Sequence, residues 1–469
     1  MSSSPKQSTW QQLVCIAAIS TLTLAGCESE SGRLERAQPR VALDDTRYFS
    51  EPVHFKNLTV WPIHSKSPLK LGEYLTLQEA ERKGLAVIRE KGVGNALNGS
   101  SSINWSNPIN TAIFDEEAVG RLNISEEPTD GGEEESQEEG EVKVKDESST
   151  AVTASPEDNQ ELNLPVEAFC QPDVLRDLLV APGVGQGDTV NSIVVENRSK
   201  LPLLICAGTV VKGGNQDRQI GKDLVIAPGS SVDVESFCIE EGRWTPTRGG
   251  SNTNGFFRCT DLVTSSQVRL AAQYETNQKL VWSQVNGVNK SARQSPATGT
   301  YLAAWEKANP QSVATRQEYE RAVREHLEKA ARHGEIVGFA YAVNGKPVSV
   351  RTFANGELLE KNLGGFLKAM SLEAELALGV GGAAAKDSAP HLEVASIEDL
   401  LRMVRGINEA GEIITSTESG NRNGLRKNDV GGNSNCYIEM ASAVEAEASG
   451  ATEASLVPLT QDWTRKAAQ

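Results

Sequence analysis

Short β-type runs joined by tight turns are the feature that most constrains the fold of this chain. The clearest case is "EIVGFAYAVNGKPVSVRTF" (335–353), where Asn344-Gly345 separates two runs rich in β-branched and aromatic residues. Asn-Gly between such runs is the strongest short-range signal for a β-hairpin, because both residues accept the positive φ of a type I′ turn. Hairpins outnumber crossover connections along the chain. The sequence therefore predicts a β-rich α+β fold of mainly antiparallel hairpins with a few amphipathic helices.

A second strand–turn–strand unit is predicted at 191–208, where the turn residues 197–200 separate two apolar runs. Pro202 restricts the second run to a sheet edge or to the start of a strand, because proline donates no backbone hydrogen bond. A loop rich in Gly, Asn and Thr is expected at 248–255. Further strands are predicted at 54–66, 85–90, 222–244 and 436–440.

The best helical pattern is "TRQEYERAVREHLEKAARHG" (315–334). Its apolar residues form one stripe, Thr315 and Glu318 are spaced as a capping box, and Gly334 is placed to end the helix. A second capping box opens a short helix that is predicted to end at Gly84. Other helices are predicted at 268–286 and 396–407.

A long acidic segment interrupts this pattern. Residues 131–148, "GGEEESQEEGEVKVKDES", contain no aromatic residue and a dense run of like charge, so they cannot bury enough apolar surface to order themselves. We expect a disordered insertion; an acidic arm for cations or basic partners is the alternative. The predicted organisation is a signal sequence (1–27), a polar tether (28–50), the first part of a domain (51–91), an acidic insertion (92–160), the main domain (161–375), its C-terminal continuation (376–440) and a polar tail (441–469).

The N-terminus resembles a bacterial lipoprotein signal. "LVCIAAISTLTLAGC" (13–27) is an apolar run too short to span a bilayer, and it ends in small residues, as secretory signals do. Its last four residues resemble a lipobox, in which the thiol of Cys27 would be acylated. An ordinary secretory signal or a buried helix is the alternative. We expect a chain attached to a membrane through lipidated Cys27, in a bacterial cell envelope, facing the periplasm or the exterior.

Charge and residue spacing exclude several function classes. The formal net charge of −17 argues against nucleic-acid binding, which depends on clustered Lys and Arg. We find no phosphate loop, nucleophile motif or zinc-type spacing, so we expect neither a metal ion nor a cofactor. Some of the cysteines could form disulfides in an oxidising compartment, but spacing does not show which. The five cysteines beyond the signal are Cys170, Cys206, Cys238, Cys259 and Cys436.

Two polar clusters are the candidates for chemistry. The first, in "AGTVVKGGNQDRQI" (207–220), contains Gly214, Gln216 and Arg218. The guanidinium can bind a carboxylate or phosphate, the amide can read a base or a ribose, and glycine lets the backbone approach a ligand.

The second cluster lies in "FCIEEGRW" (237–244). Glu240, Arg243 and Trp244 could bind a nucleotide-like group by ion pairing and stacking. Both clusters also have a structural interpretation, in which Arg218 pairs with Glu240 or Asp217 and Trp244 fills an edge of the core. Residue types alone favour that interpretation.

The segment 201–244, "LPLLICAGTVVKGGNQDRQIGKDLVIAPGSSVDVESFCIEEGRW", resembles the signature of the ARG and Rhodanese-Phosphatase-superfamily-associated protein domain family, where ARG denotes ADP-ribosylglycohydrolase. Segments 74–85, 277–282 and 338–353 resemble other elements of that family. The resemblance covers most of 51–375 and extends toward the Cys436 strand. The matching signature residues are Pro202, Leu203, Gly214, Gln216, Arg218, Pro228, Ser230, Cys238, Glu240, Gly242, Arg243 and Trp244.

The resemblance implies only an association with NAD or ADP-ribose metabolism, because the family is named after its neighbours. Our leading hypothesis is a lipid-anchored, non-catalytic domain that binds a small anionic or nucleotide-like ligand, or a partner, through the two clusters. One alternative is a hydrolase of a nucleotide or ADP-ribose-like substrate, with Glu240 as general acid/base. The other is a structural envelope protein.

Overall fold

The structure is a computed structural model that describes residues 40–93, 191–379, 394–409, 412–428, 435–442 and 458–466. Several predicted features lie outside these ranges, and they are the signal sequence with Cys27, residues 28–39 of the tether, the acidic insertion beyond residue 93, the lone Cys170, and parts of the C-terminal segments.

The described strands are short and in chain order they are β1 (Val41–Ala42), β2 (Arg47–Phe49), β3 (Val53–Phe55), β4 (Leu58–Ser65), β5 (Leu75–Thr76), β6 (Ala86–Glu90), β7 (Ser192–Asn197), β8 (Leu203–Ile205), β9 (Thr209–Gly213), β10 (Arg218–Ile220), β11 (Leu224–Ile226), β12 (Ser231–Cys238), β13 (Thr247–Arg248), β14 (Ser251–Asn252), β15 (Phe256–Val263), β16 (Ile336–Val343), β17 (Lys346–Phe353), β18 (Ile414–Glu418), β19 (Asn421–Asn428), β20 (Asn435–Ser442) and β21 (Thr460–Arg465). The described helices are α1 (Leu77–Arg82), α2 (Ser266–Gln273), α3 (Gln278–Ser291), α4 (Ala303–Glu306), α5 (Pro310–Ala330), α6 (Gly356–Leu378) and α7 (Ile397–Asn408), and a 3₁₀ turn covers Ala331–His333.

Two β-structures dominate the described residues. A ten-stranded antiparallel sheet runs in the order β1-β2-β4-β16-β17-β21-β20-β19-β18, with β3 paired to β4. A six-stranded closed barrel runs in the order β10-β12-β7-β6-β15-β9. A small sheet, β11-β8-β5, contains the parallel pair β5–β8. The predicted β-rich, mainly antiparallel α+β fold is confirmed.

The hairpin predicted from Asn344-Gly345 is confirmed. Strands β16 and β17 pair antiparallel, with Val343 opposite Lys346. Asn344 and Gly345 have φ values of 49° and 72°, the left-handed conformation that a type I′ turn requires. The same hairpin lies at the centre of the large sheet, between β4 and β21. A local turn signal therefore fixes the middle of that sheet.

The hairpin predicted at 191–208 is wrong. Strand β7 pairs with β6 and β12 in the barrel, whereas β8 pairs with β11 and β5 in the small sheet. The Asn197 side chain redirects the chain, because its Nδ2 donates to the carbonyls of Leu201 at 2.8 Å and Ile226 at 3.1 Å. Pro202 directly precedes β8, as its chemistry requires. Strands β11 and β12 likewise belong to different sheets.

The helix predicted at 268–286 is in fact two helices. Helix α2 ends at Gln273 and α3 begins at Gln278. Between them Thr276 takes a φ of 45°, which no α-helix accommodates. The Asn277 side chain then caps α3 by accepting a hydrogen bond from Leu280 N–H.

The helix predicted to begin at Thr315 begins earlier. Helix α5 starts at Pro310, and Asn309 caps it by accepting from Ser312 N–H. Proline suits a first helical position because the missing N–H would be unsatisfied there anyway. Thr315 is buried inside the helix. By contrast, the capping box of Thr76 and Glu79 that opens α1 is confirmed.

Two segments that were expected to be irregular contain strands. The loop at 248–255 includes β14, which pairs with β13. The predicted polar tail contains β21, which lies between β17 and β20 inside the large sheet. Thr460, Asp462 and Thr464 of β21 are buried. The polar composition of this strand therefore reflects buried hydrogen bonding, not exposure.

The buried Asp462 of β21 belongs to a cluster of opposite charges. We call this cluster the junction network, and its members are Arg351, Asp223, Asp462 and Arg269. Arg351 of β17 is fully buried and donates to Asp223 at 2.7 Å and to Asp462 at 3.2 Å. Arg269 of α2 also donates to Asp462, at 3.3 Å. The network joins the large sheet to α2 and to the segment that precedes β11.

Among the described residues the cysteines are buried and form no disulfide, and they are Cys206, Cys238, Cys259 and Cys436. Burial raises the pKa of the Cys206 thiol to about 12. Burial also raises the pKa of Cys238 and of Cys259, so these three thiols are protonated at neutral pH.

Candidate functional site

The first cluster lies on the tight hairpin between β9 and β10, where Val211 is opposite Arg218. Gly214 has a φ of 49°, and a Cβ at this position would clash with the ring of Phe257. Gly214 is therefore required by the packing of the turn against β15. The side of Gly214 on which other residues carry a Cβ faces Phe257 and Glu90, so among the described residues it faces protein and not a ligand cleft.

Arg243 of the second cluster ties that turn in place. Its Nη1 donates to the carbonyl of Gly214 at 2.8 Å, and its Nη2 donates to the carbonyl of Gly213 at 2.9 Å. Its Nε donates to Glu240 Oε2 at 2.9 Å. The guanidinium that we expected to bind an anion is thus buried and satisfied by the backbone and by Glu240.

Gln216 and Arg218 are also engaged inside the protein. Gln216 Nε2 donates to the carbonyl of Glu240 at 2.7 Å. Arg218 Nη2 donates to Glu90 Oε2 at 2.8 Å, across the barrel on β6. Glu90 was not among the partners expected for Arg218, because it lies 128 residues away in the sequence.

The residue at the centre of the cluster is Asp217, which the sequence suggested only as a structural partner of Arg218 and not as a site residue. It is 0% exposed and accepts from Gly213 N–H at 3.0 Å, from Arg248 Nε at 3.0 Å and from Thr300 Oγ1 at 3.0 Å. Burial raises the pKa of Asp217, the nearby Arg248 opposes that rise, and the Glu240 carboxylate adds to it. The sequence signal that could have indicated this role was an acidic residue between Gln216 and Arg218, directly after the glycines of a turn.

We call Asp217, Glu240, Arg243 and Arg248 the signature network. Glu240 is 3% exposed, and its Oε2 accepts from Asp217 N–H at 3.0 Å as well as from Arg243. The structure therefore brings Gln216, Glu240 and Arg243 together and pairs them with one another, whereas Arg218 pairs with Glu90. This arrangement holds two chain segments side by side.

Trp244 differs from the rest of the cluster because it is 36% exposed. Its ring meets Trp282 of α3 edge to face, with centroids 6.4 Å apart. Gln278, at the start of α3, accepts from Cys238 N–H at 2.9 Å and donates to Cys238 O at 2.7 Å. These contacts join the end of β12 to α3 and place Trp244 at the surface beside the half-buried Trp282.

A cavity of 340 Å³ lies next to this surface, and we call it the α3 cavity. It is lined by residues of α3 and the following loop, including Asn286, Asn289, Lys290, Arg293, Ser295 and Gly299. Gly242, one of the residues that match the family signature, contacts the loop beside the α3 cavity, and its N–H donates to Thr298 O at 3.0 Å. A Cβ on Gly242 would lie 3.1 Å from Thr298 Cα, so only glycine fits here without displacing the loop.

A family model described as the ARG and Rhodanese-Phosphatase-superfamily-associated Protein domain matches residues 135–439, more than half of the 469-residue chain. The chain belongs to this family. The match to the ARG and Rhodanese-Phosphatase-superfamily-associated Protein domain contains both polar clusters, α3 and the first part of β20, with Cys436. No curated protein and no solved structure matched the chain in the two other comparisons.

The matched range of this domain begins later than the resemblance indicated, since 51–91 lies before it. Those earlier residues nevertheless complete the fold. Strand β6 closes the barrel between β7 and β15, and β4 pairs with β16 in the large sheet. Glu90 of β6 holds the signature residue Arg218.

Two further findings bear on function. The described residues contain no group of three or more His, Cys, Asp or Glu side chains that is placed to hold a metal ion. Among the described helices, none has both the length and the apolar character needed to cross a bilayer.

Proposed function

We propose that this chain is a non-catalytic binding domain in which the buried charged residues of the family signature support the binding surface, while Trp244 of the same signature lines it. The observation that carries this proposal is the pairing of Glu240, Arg243 and Asp217 beneath exposed Trp244. Charged groups that satisfy one another leave little capacity for a ligand. The aromatic pair above them retains an open face.

The same contacts argue against Glu240 as a general acid/base. A catalytic carboxylate needs its substrate within hydrogen-bond reach. Glu240 is buried, and Arg243 and Asp217 N–H both donate to its Oε2. The α3 cavity and two further cavities among the described residues are lined by other side chains and not by Gln216, Arg218, Glu240 or Arg243.

The substitution Glu240→Gln separates the two roles. A structural carboxylate predicts a clear fall in melting temperature, because the buried Arg243 loses the closer of its two anionic partners. The hydrolase hypothesis predicts an unchanged melting temperature together with a complete loss of any nucleotide hydrolysis. Thermal unfolding followed by circular dichroism, alongside a hydrolysis assay with ADP-ribose, distinguishes these results.

The ligand class that the aromatic pair favours is nucleotide-like. A tryptophan face stacks on any base, and removal of one such contact costs about 1–3 kcal/mol. The name of the family, with its reference to ADP-ribosylglycohydrolases, supports a compound of the ADP-ribose type.

Calorimetry with ADP-ribose, NAD and AMP tests this binding function. We expect binding by the unaltered protein and a large loss of affinity in Trp244→Ala. Val313→Ala, at an apolar position of similar exposure (40%) on α5, is the matched control and should bind normally. Absence of heat with all three compounds would remove the nucleotide version of the proposal.

We also propose that the domain is tethered to a membrane of the bacterial envelope through lipidated Cys27. The support is the apolar run that ends in Leu24-Ala25-Gly26-Cys27. In a bacterial host, the unaltered protein should sediment with membranes, and Cys27→Ala should move it to the soluble fraction. Ser29→Ala, two residues beyond the cysteine, is the matched control and should leave sedimentation unchanged.

A further inference from the structure

The α3 cavity carries positive charge without a matching negative charge in its lining. Lys290 and Arg293 line it, and both are exposed. Among the described residues that line it, none is acidic. The nearest carboxylate that the contacts identify is Glu241, whose Oε2 accepts from Asn286 Nδ2 at 3.4 Å at the edge of the cavity.

One buried polar group in the lining has an unused acceptor. Asn289 is 3% exposed, and its Nδ2 donates to Thr300 O at 3.0 Å. This bond fixes the orientation of the amide, because the carbonyl of Thr300 can only accept. Asn289 Oδ1 is then left without a hydrogen-bond partner. Buried acceptors are rarely left unpaired, and a donor from the cavity reaches Asn289 Oδ1 once the side chains around it shift.

The volume of the cavity suits a small molecule. At 340 Å³ it falls at the lower end of the range of about 300–1,000 Å³ for ligand sites. A single water fills only about 30 Å³ of that space. A water on Asn289 would satisfy the acceptor, but it would not account for the two cations beside it.

We propose that the α3 cavity binds a small organic anion that also carries a hydroxyl group, such as a phosphorylated pentose. Lys290 and Arg293 bind the anionic group, and Asn289 Oδ1 accepts from the hydroxyl. The same chemistry could come from a free sugar phosphate or from the ribose phosphate of a nucleotide. The inference extends the binding function proposed above, because Trp282 and Asn286 lie one turn apart on α3.

The charges also have an ordinary interpretation. Lys290 lies in the last turn of α3, where a cation offsets the negative end of the helix dipole. That role predicts an effect on stability and none on anion binding. Binding measurements therefore separate the two roles.

The test is titration of the protein with ribose 5-phosphate, with inorganic phosphate and with ribose, followed by calorimetry and by amide NMR shifts. We expect ribose 5-phosphate to bind more tightly than either part alone. The double variant Lys290→Ala/Arg293→Gly removes both charges, and glycine suits the φ of 57° at Arg293. It should weaken ribose 5-phosphate binding by about tenfold or more.

Lys279→Ala is the matched control, because Lys279 is an exposed lysine on the same helix outside the cavity. It should leave affinity unchanged, whereas Glu241→Gln should increase affinity by removing the nearby negative charge. Equal weakening by Lys279→Ala and the double variant would overturn the proposal, as would no ribose 5-phosphate binding in the millimolar range. Nucleotide binding that is lost in Trp244→Ala but unaffected by the double variant would overturn this inference and leave the binding function intact.

Discussion

The signature network and the junction network are both buried clusters of opposite charges, yet they connect different things. Three of the four charged residues of the signature network, Asp217, Glu240 and Arg243, come from a stretch of 27 residues, 217–243. They hold the turn between β9 and β10 against the segment that leads to Trp244. The junction network collects residues 223, 269, 351 and 462 from four distant segments. The first shapes a local surface, and the second joins separate parts of the fold.

The electrostatic balance of the two networks also differs. At Asp462 burial would raise the pKa, but Arg269 and Arg351, with hydroxyls of Thr464 and Ser349, bring it below its ordinary value of 3.8. At Asp217 burial prevails over Arg248, and the pKa is raised. Asp217 shares its surroundings with a second carboxylate, Glu240. Burial therefore sets the direction of the pKa shift at Asp217, and the Glu240 carboxylate adds to it.

The largest effect is expected at the centre of the junction network. Arg351→Met should destabilise the fold by about 3–5 kcal/mol, because it leaves Asp223 and Asp462 buried with reduced compensation. Urea unfolding measures the loss. Arg402→Met, at a side chain that is 78% exposed in a surface ion pair, should cost at most about 1 kcal/mol. Equal losses in both variants would contradict the central role of Arg351.

A smaller loss is expected in the signature network. Arg243→Met should cost about 3 kcal/mol, because Glu240 and the carbonyls of Gly213 and Gly214 lose charged hydrogen bonds. It should also shift the fluorescence of Trp244. Arg198→Met, in an exposed ion pair with Glu196, is the control and should change neither property. An unchanged fluorescence spectrum in Arg243→Met would break the link between the network and the surface.

The turn itself can be tested with a pair of glycines. Gly214→Ala and Gly229→Ala both place a side chain at positive φ, but only the first would strike a ring, that of Phe257. Gly214→Ala should therefore be less stable than Gly229→Ala by about 1–3 kcal/mol, the usual cost of overpacking. Thermal unfolding gives the comparison. Similar losses would mean that the turn is not held against β15.

The pH dependence of stability should have opposite signs at the two aspartates. The contribution of Asp462 is present above 3.8 and lost as the pH falls through its lowered pKa. The contribution of Asp217 is present below 3.8 and lost as the pH rises through its raised pKa. Each unit of pKa difference corresponds to about 1.4 kcal/mol.

Unfolding free energies measured across acidic pH check this prediction. Asp217→Asn should flatten the decline of stability that begins as the pH rises above 3.8, and Asp462→Asn should flatten the decline below 3.8. Each variant is the control for the other. The same pH profile in both would show that the two networks titrate alike.

Local chemistry made several elements predictable. The Asn344-Gly345 hairpin and the capping box at Thr76 were recognisable because each depends on residues within a few positions of one another. The start of α5 was misplaced because two cap signals lie close together, and Asn309-Pro310 prevailed over Thr315. The break after α2 was missed because its apolar pattern continues into α3.

The sequence predicted that the residues of the candidate site lie close together, but it did not predict what each side chain contacts. The sequence placed Gln216, Glu240 and Arg243 on neighbouring segments, and they do meet. Residue types alone could not show whether their charges face a ligand or one another. Trp244 lies at the surface, and its ring contacts Trp282 of α3.

By itself, the sequence determined the Asn344-Gly345 turn, the Thr76 cap, the β-rich class and the family, because each depends on residues that are close in the chain. Only the tertiary structure decided that β7 and β8 separate, that Arg218 meets Glu90 and that β21 enters the large sheet. The alternation of apolar residues tells a strand which face to bury, but it does not name the neighbouring strand. Partners far apart in sequence are selected by packing and by the pairing of buried charges, and both exist only once the chain has folded.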